Sequence, residues 1–159
     1  PTPKVRWRFT GEQPAEAWTT PAFDDRAWAG TSGGIGSDFT PRGLATADWP
    51  GERVWARRSF DLFDGEDQTL VRYDSLEALP DDARLALWIH HDEDAQVWLN
   101  GRLVAEPTGY TTSYVPIPIE LDGGAPHKLL RAGTNHLAVT CTNTYGARYI
   151  DVGLVLLLD

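Results

Sequence analysis

The chain has 159 residues and a formal net charge of −9, the size of one domain that buries roughly two-thirds of the surface its unfolded form exposes. That acidity works against nucleic acid and anionic membranes, which are held by Lys and Arg, and leaves neutral or cationic partners. Seven Trp, five Tyr and five Phe, with 15 Gly and 11 Pro, point to a strand-rich domain with many turns. The sequence contains no methionine, which points to a processed protein or an excised domain, and residues 1–159 are expected to be the latter, a single module from a larger multidomain protein. The longest apolar run, residues 154–158, is far too short to span a bilayer.

Val5-Arg6-Trp7-Arg8-Phe9 alternates with period two and predicts an opening edge strand. Residues 14–30, with Trp18, Pro21 and Phe23-Asp24-Asp25-Arg26-Ala27-Trp28, read as a turn or short helix pinned by aromatics. Asp24 or Asp25 caps it in the ordinary reading, a metal site being the sharper alternative. Gly33-Gly34-Ile35-Gly36 lacks the Gly-Lys-Ser/Thr ending of a phosphate loop and is expected to be a plain surface loop. Residues 38–53 look irregular apart from Trp49, and a second strand follows over residues 54–62.

Asp64-Gly65 and Pro80-Asp81-Asp82 mark turns, with residues 69–79 ambiguous between them. Residues 85–91 form a strand whose Leu85, Leu87, Ile89 and His91 share the inward face, with Trp88 and His90 opposite. Asn100-Gly101, between two apolar runs, is a type I′ hairpin signal, because both residues tolerate positive φ. A two-residue turn sets Leu99 against Arg102, Trp98 against Leu103 and Val97 against Val104. Both faces of this hairpin are apolar, so it is expected to be central, with its second face under another element or open to a ligand. Two prolines confine Val115-Pro116-Ile117-Pro118-Ile119 to an edge or to bulged pairing. Gly133-Thr134-Asn135 turns into a strand over residues 137–142, where Cys141 shares a face with Leu137 and Val139 and reads as a buried structural thiol. A polar loop over residues 143–148 precedes the closing strand, residues 149–158. No helical periodicity appears, and the fold class is all-β, an antiparallel β-sandwich.

Catalytic chemistry finds no anchor in this sequence. His90 and His91 are strand neighbours on opposite faces, and His127 and His136 fall in unrelated turns, so no shared transition-metal site is expected. Asp92-Glu93-Asp94 supplies oxygen donors of the kind calcium prefers, or else caps its own turn. There is no Gly-x-Ser-x-Gly elbow, and the 23 acidic residues single out no glycosidase pair. What remains is aromatic and amide chemistry in loops. Sugars present apolar C–H faces ringed by hydroxyls, so their sites combine a stacking Trp or Tyr with forked donors and acceptors. The candidates are Trp49, His90, Asp92, Tyr110, Asn143, Tyr145 and Arg148. The alternative is that several of them close the ends of the sandwich.

Ala95-Gln96-Val97-Trp98-Leu99-Asn100-Gly101, Gly109-Tyr110 and Gly133-x-Asn135-x-Leu137-Ala138-Val139 resemble the jelly-roll sugar-binding domain of family 2 glycoside hydrolases and the wider galactose-binding-like β-sandwiches. Phe23-Asp24-Asp25-Arg26-Ala27-Trp28, His90-His91-Asp92-Glu93-Asp94, Gly109-Tyr110-Thr111-Thr112 and Tyr149-Ile150-Asp151-Val152-Gly153-Leu154 are similar to accessory modules of large secreted bacterial proteins, beside glycosidase or glutaminase-like domains. The resemblance implies a non-catalytic module that binds oligo- or polysaccharide and targets a catalytic domain of the same parent chain. It implies alternatively a spacer that buttresses that domain without a ligand. It further implies a secreted, periplasmic or cell-surface location and a structural calcium near the opening loops.

Overall fold

Alternation along the chain becomes two stacked sheets in the computed structural model, which describes residues 6–37, 44–61, 75–121 and 124–157. The six-stranded sheet runs, from edge to edge, β2 (Ala29–Thr31), β1 (Trp7–Thr10), β5 (Arg53–Asp61), β10 (Thr134–Thr142), β7 (Ala95–Leu99) and β8 (Arg102–Ala105). The five-stranded sheet runs β4 (Ala45–Asp48), β3 (Gly34–Gly36), β11 (Tyr149–Leu157), β6 (Arg84–Asp92) and β9 (Val115–Pro118). The strand pairs are antiparallel except β3 with β4, which is parallel. Short 3₁₀ turns at Glu16–Thr19, Leu76–Ala78 and Pro126–Leu129 supply the helical residues among those described.

The core lies between the sheets. Val54, Ala56, Val97, Leu99, Leu137, Val139 and Cys141 face it from one side, and Leu85, Leu87, Ile89, Ile150 and Val152 from the other. Each fully buried aliphatic side chain contributes roughly 1.5–3 kcal/mol relative to exposure. The inward set on β6 is the one its alternation indicates, with His91 buried and Trp88 half-exposed on the opposite face. β9 sits at a sheet edge, where Pro116 and Pro118 cost no shared ladder bond on the outer side. Cys141 is fully buried, and burial pushes its thiol well above the ordinary range.

The hairpin turn forms at Asn100 (φ 51°) and Gly101 (φ 88°), with Leu99 opposite Arg102 and Trp98 opposite Leu103. A bulge between Val97 and Trp98 then shifts the register, so Val97 faces Ala105 rather than Val104. The hairpin is also not central, because β8 is the outermost strand of its sheet. Its second apolar face exists because Trp18 of the first 3₁₀ turn covers Trp98 edge-on, ring centroids 5.1 Å apart.

Two asparagines, Asn135 fully buried and Asn100 half-buried, join the hairpin to β10. Asn135 accepts from the Arg131 amide (2.8 Å) and from Asn100 Nδ2 (2.9 Å), and donates to the carbonyls of Arg131 (3.0 Å) and Gly133 (3.0 Å). Asn100 Nδ2 also donates to the Leu129 carbonyl (2.8 Å), and Asn100 Oδ1 accepts from the His136 amide (2.9 Å). The Asn100-Gly101 and Gly133-x-Asn135 signatures are therefore two halves of one hydrogen-bonded unit.

Other elements depart from expectation. β1 is flanked by the three-residue β2 and is not an edge strand. Gly34–Gly36 is a buried strand rather than a surface loop, because the Tyr149 ring lies on Gly34 so closely that a Cβ there would overlap it. β4 adds regular structure after residue 44 in the stretch expected to be irregular, and His136 belongs to β10 rather than to a turn. The Asp64-Gly65 turn, residues 69–74 and the final two residues lie outside the described residues.

Candidate functional site

Side chains on the outer face of the six-stranded sheet fall into ladder rows. One row is Arg8, Arg57, Ala138 and Trp98, each opposite the next on neighbouring strands. Residues 14–30 lie over this row as a lid. Arg57, 2% exposed, anchors it through Asp25 (2.8 Å), the carbonyls of Trp18 and Thr20, and the Phe23 ring 5.3 Å away. Asp24 caps the turn at the Arg26 amide and grips its guanidinium, which holds the carboxyl down at about 2. Asp24 is thus a turn cap and Asp25 an ion-pair partner.

The lid stops short of the next row, towards the end where β5 and β7 begin and β10 ends. There a polar groove of about 380 Å³ is lined by Arg53, Asp94, Gln96, Glu106, Thr140 and Thr142, among others. Its side chains are held in place. Arg53 Nε donates to Thr142 Oγ1 (2.9 Å), Gln96 Nε2 to Glu106 Oε1 (2.7 Å), and Thr140 Oγ1 to the Val54 carbonyl (2.9 Å). Asp94 Oδ1 accepts from the Gly109 amide (2.7 Å), and the next residue, Tyr110, is 69% exposed and lies outside the groove's lining.

The seven residues proposed from sequence gather at this same end, in different states. Tyr110 and Tyr145 are strongly exposed and flank the Asp92-Glu93-Asp94 turn: Tyr110 bridges to Asp92, and Thr144, beside Tyr145, donates to Glu93 Oε2 (3.1 Å). Asp92 accepts from Asn143 Nδ2 (3.4 Å at Oδ1), and burial, then the charge of Glu93, raises its carboxyl above the usual range. Arg148 donates to the Gly51 carbonyl. Trp49, Asn143 and His90 are buried, at 5%, 0% and 6% exposure, and present no open face. Trp49 belongs to the core, and Asn143 ties Asp92 to the Ala147 carbonyl. His90 lies on the outer face of the other sheet beneath Tyr114 and Tyr149, its Nε2 on the Thr111 carbonyl (3.1 Å), and burial lowers its pKa. The three acidic residues of the turn each engage a neighbouring loop, and among the described residues no group of three His, Cys, Asp or Glu is arranged to hold a metal ion.

Sequence reasoning missed Arg53, Gln96, Glu106, Thr140 and Thr142. A signal was present: Gln96, Thr140 and Thr142 are the polar, outward members of otherwise apolar alternating strands. That Arg53 and Glu106 stand beside them follows only from the pairing of β5, β10, β7 and β8.

The architecture is that of an all-β sandwich of two sheets with a grooved outer face. No protein-family model and no curated protein sequence matches the chain. Solved structures do. A glycosyl hydrolase family 2 member from Bacteroides cellulosilyticus aligns with 93% of this chain at TM-score 0.55 and 19% identity, over 20% of its own length. A β-glucuronidase of Bacteroides uniformis aligns with 89% at TM-score 0.53 and 20% identity, over 14% of its length. A Faecalibacterium prausnitzii β-glucuronidase aligns with 88% at TM-score 0.52 and 21% identity, over 20% of its length. The chain thus has the fold of a small part of family 2 glycoside hydrolases and spans a fifth or less of these proteins.

Proposed function

We propose that the chain is a non-catalytic carbohydrate-binding module that holds an attached glycoside hydrolase or related enzyme, working outside the cytoplasm, on its glycan. The observation that carries this reading is the polar groove beside exposed Tyr110. Within a few strands the groove combines a guanidinium, an amide, two carboxylates and three threonine hydroxyls, and an exposed tyrosine follows two residues beyond its Thr108 wall, the mixture that sugar hydroxyls and C–H faces require. Similarity to a minor part of much larger glycoside hydrolases supports the accessory role. The test is affinity-gel electrophoresis of the chain in xylan, mixed-linkage glucan, galactan and mannan. At least one polysaccharide should retard it, and Tyr110→Ala should weaken that retardation; migration unaffected by every polysaccharide overturns the reading.

One observation favours a second role, a structural module packed on its enzyme. Trp88 is 43% exposed and stacked on Tyr114 (centroids 6.4 Å apart) on the outer face of the five-stranded sheet, with Pro116 and Gly153 opposite it on the adjoining strands. That role predicts no saccharide retardation and burial of Trp88 in the intact parent protein.

A further inference from the structure

The polar groove has a counterpart at the opposite edge of the same sheet. A groove of about 720 Å³, within the range of small-molecule sites, is lined by Phe9, Thr10, Glu12, Gln13, Phe23 and Trp28 together with Pro14, Pro50 and neighbouring backbone. Phe23 and Trp28 set two half-buried rings 5.6 Å apart at 60°, and Glu12 and Gln13 stand exposed on the rim. Among the described residues its lining holds no Lys or Arg, and its mixture of rings, Thr10, Glu12 and Gln13 suits an uncharged ligand with both apolar and hydroxylated faces.

The strand register joins the two grooves. Thr10, a wall of the aromatic groove, lies opposite Trp55; Trp55 lies opposite Thr140, and Thr140 opposite Gln96, both of which line the polar groove. These four outward side chains form the row next to the one the lid covers. Three inter-strand steps make it about 14 Å long. Trp55 is half-buried at its middle, with the Arg53 guanidinium 5.8 Å from its ring centre. The lid walls one side of this row. One end lies at Trp28 and Gln13, the other at Glu106 and Thr108.

We infer that the two grooves are one trough across the outer face of the six-stranded sheet, which takes an internal stretch of an uncharged linear saccharide, with Trp28 at one end and Trp55 at the middle as stacking platforms. The inference rests on the saccharide-binding reading and deepens it: a site confined to the polar groove would hold a short or terminal unit, whereas the trough requires a chain running through. Arg53 contributes to the middle platform by holding the Trp55 ring from one face and presenting its remaining N–H groups to ligand hydroxyls.

The test is isothermal titration of the chain with the disaccharide and the hexasaccharide cut from whichever neutral polysaccharide retards it. The hexasaccharide should bind at least roughly tenfold more tightly, and Trp28→Ala should remove that advantage. Ala27→Glu, at an exposed position lining the aromatic groove, should do the same if Trp28→Ala folds poorly. Equal affinity for the two ligands, or hexasaccharide binding indifferent to both substitutions, overturns the trough and leaves the polar groove standing. Failure of every saccharide to bind the parent chain overturns the saccharide reading itself, and the trough with it.

Discussion

Replacing Asn135 by Asp exchanges one NH₂ for an oxygen of almost the same size, and the structure says what that exchange costs. Asn135 is fully buried, and its amide makes two donated and two accepted hydrogen bonds. The substitution deletes both donated bonds, each contributing about 0.5–1.5 kcal/mol net, and leaves the carbonyls of Arg131 and Gly133 facing an acceptor, at about 1–3 kcal/mol more. The sum is roughly 2–6 kcal/mol, a fall in Tm of roughly 4–24 °C for a chain of this length. The penalty is pH-dependent. A carboxyl among carbonyls, out of water, has its folded-state pKa raised above the unfolded value of about 3.9. The folded state then keeps the proton that the unfolded state releases, so the loss grows as pH rises from about 4 and is complete above the folded pKa. Guanidinium unfolding of the parent and of Asn135→Asp, at pH 4.5 and 7, reads both effects. A loss below about 1 kcal/mol at pH 7, or one equal at the two pH values, would refute the reasoning.

Three further outcomes are expected. Arg57→Met should cost about 3–5 kcal/mol in denaturant unfolding, because it strands Asp25 and two lid carbonyls beneath Trp18 and Phe23; a change within 1 kcal/mol would mean the lid is held by its aromatics alone. Gly34→Ala should cost at least about 1–3 kcal/mol, since the new methyl overlaps the Tyr149 ring, and a thermal melt superimposable on the parent's would contradict that packing. His90 and His136 both have folded pKa values lowered, by burial first in each case. The unfolded chain therefore takes up protons below about pH 6.5 that the folded chain does not, and stability falls as pH drops from there. His90→Gln should flatten that slope between pH 7 and 5 by up to about 1.4 kcal/mol per pH unit; an unchanged slope would remove His90 from the account.

The two-sheet class was legible because period two is imposed by the pleat itself: Leu85, Leu87 and Ile89 alternate in the sequence as they do in the core. So were the positive-φ turn at Asn100-Gly101 and the edge position of Pro116 and Pro118, where local chemistry leaves little choice. The candidate site was legible only in its neighbourhood. The loops holding Asp92, Tyr110, Asn143, Tyr145 and Arg148 do meet at one end, yet a loop tryptophan such as Trp49 reads the same whether it caps a core or faces a ligand.

From its sequence alone, then, this chain is committed to short alternating strands, to tight turns where Asn and Gly permit them, and to an acidic surface, because each follows from neighbours a few residues apart or from a simple sum of charges. Tertiary structure decided which strands adjoin. Thr10, Trp55, Gln96 and Thr140 come from four separated segments, and only the register of β1, β5, β10 and β7 places them side by side. The lid was decided at the same level: the partners of Arg57 lie more than 30 residues away in sequence, and burial of that one guanidinium determines where the covered face ends and the open trough begins.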